Sequence, residues 1–268
     1  MVEQIRPGVT AKGARFVLFD FDGTVSLIRS GWVDVMVPMM VGILADLKTG
    51  EDEAQLTAIV EDFVGRLTGK QTMYQMIELA RQVEIRGGKP LEPLEYKKAY
   101  LARLHDKIRH RLEELRNGGA PPDKYLVPGA RPMIEALAGM GLTMYLASGT
   151  DQEYMREEAR LLDVDRYFGG GVFGALDDFK SFSKKILIQQ VIASSGCRGG
   201  DFLGFGDGYV EIENVKEVGG VAVGVATAEP ECGQVDEWKR RRLVGVGADF
   251  VVPNFLCHQE LLGLLFPQ

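Results

Sequence analysis

The chain has 268 residues, 46% of them hydrophobic, and a formal net charge of −7. A substantial core can be built from that composition, which excludes global disorder, and the acidic balance argues against a nucleic-acid partner, whose electrostatic footprint is basic. Residues 1–15 are polar, with no apolar run of the kind that directs secretion. The most apolar long stretch, residues 32–47, contains Asp34 and Asp46 and is too short to cross a bilayer. Cys197, Cys232 and Cys257 are odd in number and lack metal-ligand spacing. They read as reduced thiols, so a cytoplasmic protein with no membrane partner is expected.

Taken in order, Phe16-Val17-Leu18-Phe19 is a short apolar run that predicts a buried parallel strand. Asp20-Phe21-Asp22-Gly23-Thr24 follows at its end. Residues i and i+2 of an extended chain face the same way, so Asp20 and Asp22 can reach one site. Crowded carboxylates repel unless a proton or cation intervenes, and a hard, oxygen-seeking ion such as Mg²⁺ suits them. With that ion present, one Asp can attack phosphorus and the other can shuttle a proton. An acidic turn capping the next helix is the alternative for this segment by itself.

From Gly31 the pattern becomes helical. Trp32, Val35, Met36, Met39, Ile43, Leu44 and Leu47 form one stripe. Three further amphipathic helices follow, from Leu56 to Leu67, Met73 to Val83 and Tyr96 to Leu115, the last ending at Asn117-Gly118-Gly119. No strand is expected between Ser26 and Gly119, so residues 27–120 read as an all-helical unit inserted into a domain formed by 1–26 and 121–268. After Pro121-Pro122 helices alternate with strands, at 142–147, 172–173, 202–205, 221–225 and 249–252, with a closing helix over 255–265. That alternation predicts an α/β fold, a Rossmann-like doubly wound parallel sheet.

Three later strand ends carry chemistry. Ser148-Gly149-Thr150 offers a hydroxyl and backbone N–H groups suited to a phosphate oxygen, although a helix cap is the plainer reading of it alone. Ser183-Lys184-Lys185 opens a helix, where a lysine can balance an acid cluster; Lys180 and Lys185 compete with Lys184. Gly206-Asp207-Gly208-Tyr209-Val210-Glu211 places Asp207 and Glu211 four apart on one helix face. Asp207 is a metal-ligand candidate. Glu211 suits a metal-bound water or the orientation of the lysine.

These four segments, in this order, resemble the four motifs of the haloacid dehalogenase-like superfamily, over roughly 16–30 and 125–265. Residues 217–225 and 247–252 are similar to that family's closing segments. The resemblance implies a phosphatase working through an aspartyl-phosphate. Asp20 would be the nucleophile, Asp22 the general acid and base, and Lys184 the steadying cation. Ser148, Gly149 and Thr24 would hold the phosphoryl group. Mg²⁺ would be bound by Asp20, the Asp22 carbonyl and Asp207, with Glu211 as an outer contact in place of the more usual Asp. Retention of Asp22 favours an alcohol leaving group over a halide. The helical block matches the family's cap, in which Lys70 or Gln71 of the loop 68–72 would meet a small phosphate ester such as a sugar phosphate. A phosphomutase of the same fold and a catalytically idle binding protein are the alternatives. A monomer or homodimer is expected, and no chemistry is assigned to His105, His110 or His258.

Overall fold

The computed structural model describes residues 1–176 and 183–268. The strands are β1 (Glu3–Gln4), β2 (Phe16–Asp20), β3 (Thr143–Asp151), β4 (Gly171–Ala175), β5 (Phe202–Gly206), β6 (Val221–Val225) and β7 (Phe250–Val252). They form one sheet in the order β1-β7-β6-β5-β2-β3-β4. All pairings are parallel except that of β1 with β7. The segment expected to be the first strand is therefore the second. β1 is a two-residue edge strand, too short for an alternating pattern to announce it.

After β2 the chain builds outward through β3 and β4. It then crosses to the other side of β2 for β5, β6 and β7. The reversal lies between the adjacent strands β2 and β5, and such a switch point opens a crevice at the carboxyl ends of the strands. Both faces of β2 are covered. Phe16 and Leu18 join Leu187, Ile188, Ile212, Val215 and Leu243 in one cluster. Phe19, on the opposite face, stacks on Phe205 at 4.5 Å and meets Phe168 and Phe255. This alternation follows from the period of a strand.

The chain divides into two compact units, Met1–Ser30 with Arg111–Gln268, and Gly31–His110. The second unit contains α1 (Val33–Ala45), α2 (Glu53–Leu67), α3 (Thr72–Ile85) and most of α4 (Pro93–Arg116). Its interior is built from Met36, Met40 and Leu44, Leu56, Val60 and Phe63, Met76 and Leu79, and Tyr96, Tyr100 and Leu104. Asp52 caps α2 in a reciprocal arrangement with Gln55.

The division falls four residues inside the expected 27–120 at its start and ten at its end. Hydrogen bonds explain this. Leu27 N donates to Tyr125 O, Val127 N donates to Val25 O, and Ser26 bridges Leu126. Arg111 Nη1 donates to the carbonyls of Leu27, Ile28 and Ser30 at 3.3, 2.8 and 2.9 Å. These bonds keep both flanks with the sheet.

The remaining helices are α5 (Ala130–Gly139), α6 (Gln152–Leu161), α7 (Lys184–Ser195), α8 (Tyr209–Glu217), α9 (Glu237–Gly245) and α10 (His258–Leu265). α9 is absent from the sequence reading, because Glu237-Trp238-Lys239-Arg240-Arg241-Arg242 reads as a solvated run of charge. Only Leu243 of this helix is buried. Among the described residues, no helix is long and apolar enough to cross a membrane.

Candidate active site

The carboxyl end of β2 delivers Asp20 into the switch-point crevice, where it is 6% exposed. The chain turns at once through Gly23, whose φ is 75°. A Cβ built there would run into the Asp207 carboxylate and stand 3.2 Å from Glu229 Oε1. Glycine is thus what allows the acid following β5 to lie against the loop following β2. Thr24 ties the same two segments together. Its hydroxyl accepts from Asp207 N at 2.9 Å and stands 3.5 Å from Asp20 Oδ2. Thr24 is fully buried, and both of these hydroxyl contacts stay within the protein.

Lys184, the first residue of α7, reaches the cluster from the other side. Ser183 caps that helix by accepting from Ile186 N at 3.1 Å, which fixes where its first turn starts. Lys184 Nζ donates to Asp20 Oδ1 at 2.5 Å and to the Glu211 carboxylate. Of the other lysines considered, Lys185 pairs with Glu217 at 2.6 Å on the surface, and Lys180 lies outside the described residues. Of the two contacts considered for Glu211, the one with the lysine is present, through its Oε1. Its Oε2 is buried without a hydrogen-bond partner.

Burial alone would lower Lys184, but the adjacent Asp20 and Glu211 carboxylates carry its ammonium above the usual lysine range. Burial pushes the Asp20 carboxyl well above the usual carboxylate range. Lys184 opposes that shift, and Glu211 and Asp207 push the same way as burial.

Asp22 is held by a third set of contacts. Ser148 Oγ and Thr150 Oγ1 both donate to its Oδ2, at 2.8 and 2.9 Å, and Ser148 Oγ also accepts from Thr150 N. Strand β3 runs through this segment to Asp151 with a register shift against β4, so neither Ser148 nor Thr150 is an ordinary helix cap. Gly149 lies between them, part-exposed. Oδ1 of Asp22 is buried without a hydrogen-bond partner and stands 3.9 Å from Arg29 Nε. Arg29 is fixed in turn by a two-pronged pair with Glu158 of α6, its terminal nitrogen 2.7 Å from Oε1. Both are nearly buried, at 8% and 2% exposure.

Sequence reasoning missed four participants: Arg29, Glu158, Glu229 and Lys239. Lys239 Nζ, on α9, lies 2.9 Å from Asp207 Oδ2 and 3.1 Å from Glu229 Oε1. A signal for it did exist. A parallel strand at 221–225 followed by another at 249–252 requires a crossover helix between them, and the charged run was the only segment available. Lys70 belongs to the helical unit. It is exposed in the turn between α2 and α3, with Nζ 5.8 Å from the Tyr74 ring.

No three His, Cys, Asp or Glu side chains among the described residues are gathered as a ready metal cluster. The expected set, two carboxylates and one main-chain carbonyl, does not require one. Its chemistry fits a hard divalent cation, because the donors are all oxygen and the nearby Asp207 carboxylate pushes Asp20 upward. A positive ion there would relieve that repulsion.

The haloacid dehalogenase-like hydrolase family matches residues 14–219 of the chain. A 5'-nucleotidase of Pseudomonas aeruginosa is 28% identical over 124 residues, 46% of this chain and 55% of the relative. The chain thus aligns with about half the length of that curated relative. Among solved structures, a predicted phosphoglycolate phosphatase from Haemophilus somnus superposes with a TM-score of 0.59 at 14% identity, over 93% of this chain and 98% of the other. A HAD family hydrolase from Deinococcus radiodurans with bound phosphate and sodium gives 0.53 at 16% identity, over 96% and 100%. The family match takes in β2 through α8 together with the intervening helices, and the chain belongs to the haloacid dehalogenase-like hydrolases.

Proposed function

We propose that the protein is a Mg²⁺-dependent phosphatase that hydrolyses a small organic phosphate monoester through a phosphoaspartate on Asp20. The observation that carries this reading is the Lys184 clamp on Asp20 Oδ1 at the switch point, with Asp22 held separately beside it. Clamping one oxygen leaves Oδ2 to attack phosphorus. As the Asp20 O–P bond forms, the bond from phosphorus to the leaving oxygen breaks, and Asp22 gives that oxygen its proton. Water then attacks the phosphoaspartate, Asp22 takes the water's proton, and the Asp20 O–P bond breaks. The products are the free alcohol and inorganic phosphate.

Asp20, the Asp22 carbonyl and Asp207 would hold Mg²⁺, which supplies charge neutralisation of the phosphoryl oxygens. Lys184 adds to that neutralisation, and Ser148, Thr150 and Arg29 keep the Asp22 carboxyl oriented. The helical unit, through Lys70 and the 68–72 turn, is the proposed source of substrate preference. A carboxylic acid at Asp22 suits an alkoxide leaving group, which must be protonated, and this favours an ester over a halide.

The test is phosphate release from a panel of small phosphate esters, with Mg²⁺ and with chelator. Turnover is expected only with the metal. It should fall by about four orders of magnitude in Asp20→Asn, which keeps the shape but cannot act as nucleophile. Equal turnover in Asp20→Asn, or no release from any ester, would overturn the reading. Interconversion of sugar phosphates without phosphate release would favour a mutase.

A further inference from the structure

Lys239 has no part in the steps above, yet its Nζ lies 2.9 Å from Asp207 Oδ2. Its side chain is 14% exposed, against 15% for Asp207 and 19% for Glu229. Burial would lower Lys239, but the two carboxylates hold its ammonium above the usual range. Glu229 is presented firmly. Its loop is closed by the Thr227–Val235 bridge, by Cys232 N donating to Ala228 O at 2.8 Å and by Asp236 N donating to Ala226 O at 2.8 Å. Asn254 Nδ2 also donates to Cys232 O at 2.7 Å. On the other side, Asp236 fixes the start of α9 by accepting from Trp238 N and Lys239 N.

We propose that Lys239 is a resident cation that holds Asp207 in the metal-free protein and passes to Glu229 when a divalent ion binds, so that this pair sets the metal affinity of the site. The proposal rests on the metal reading above. An ammonium and a divalent ion on one carboxylate repel each other strongly in a crevice with little water. The flexible lysine stem lets Nζ pivot, and Glu229 is already within contact distance, so the released charge does not stay unpaired. Lysine thus lowers affinity by competing for Asp207, and Glu229 restores part of it by receiving the lysine.

The experiment is calorimetric titration of Mg²⁺ into the full chain without substrate, for wild type, Lys239→Met, Glu229→Gln and the double variant. Lys239→Met should bind Mg²⁺ about tenfold more tightly, and Glu229→Gln about tenfold more weakly. In the Lys239→Met background, Glu229→Gln should lose most of its effect. Unchanged or weaker binding by Lys239→Met overturns the proposal. A full Glu229 effect in the double variant also overturns it, because Glu229 would then be a ligand rather than a receiver. If Lys239→Met fails to fold, Lys239→Gln replaces it in the single and double variants, and the same outcomes decide. Wild type that binds no Mg²⁺ removes this inference and the metal reading together. Wild type that binds Mg²⁺ and releases phosphate, with both variants unchanged, removes this inference only.

Discussion

The end of β2 and the outer faces of the helical unit place their charged residues in opposite ways. In the sheet unit Asp20, Lys184, Glu211, Arg29 and Glu158 are all nearly buried and paired with one another. In the helical unit, Arg66–Asp62 and Lys98–Glu95 join neighbours on one helix face, with more than half of each side chain in solvent. Surface pairs of that kind contribute little to stability, whereas buried ones have to offset a large desolvation cost. A fold that needed only stability would fill the end of β2 with apolar side chains. Burying acids there instead points to the end of β2 as the place where the reaction is carried out.

Lys184→Met should sharpen that contrast most. It leaves Asp20 and Glu211 buried without their shared cation, at a cost of about 4 kcal/mol in urea unfolding, and abolishes turnover. The deficit should shrink at acid pH, because Asp20, already pushed upward by burial, then takes a proton and sheds its charge. A deficit that grows on acidification would contradict this account.

Glu158→Gln comes next. It deprives the buried Arg29 of its two-pronged partner and should cost about 3 kcal/mol by the same measurement. It should also lower kcat, since Arg29 stands beside Asp22. Loss of stability with unchanged kcat would make Arg29 a purely structural residue.

The smallest effect belongs to the helical unit. Glu51→Gln removes the Arg86 pair, at 2.7 Å, for about 1 kcal/mol. Hydrogen bonds from Arg86 and Thr49 pull the Glu51 carboxyl from 4.5 down to about 2. Its folded pKa lies below the unfolded one, so the contribution is complete above pH 4.5 and lost as the pH falls towards about 2. Thermal melts of wild type and variant should therefore converge in acid.

Much of this was legible in the chain. The succession of strands from Phe16 to Val252 and the helical run from Gly31 follow from apolar periodicity, and Asp20 and Asp207 stand out as acids at strand ends, whereas only the family resemblance singled out Lys184 from Lys180 and Lys185. What stayed hidden has physical causes. β1 is too short to alternate. α9 buries one leucine, so its pattern is polar throughout, and Lys239 was hidden with it. Arg29 and Glu158 lie far apart in the chain, and nothing in either neighbourhood announces the other. Thr24 and Ser148 have the expected residue types, but only coordinates reveal that each hydroxyl is already engaged by Asp207 and Asp22.

The Arg111 guanidinium has a consequence for the segment between residues 31 and 110. By stapling three carbonyls of the outgoing chain to the returning one, it closes the doorway through which the helices leave and re-enter. Loop entropy rises only slowly with length once the ends are tied. The helical segment between them can therefore change in length at small entropic cost while the sheet keeps its own hydrogen bonds.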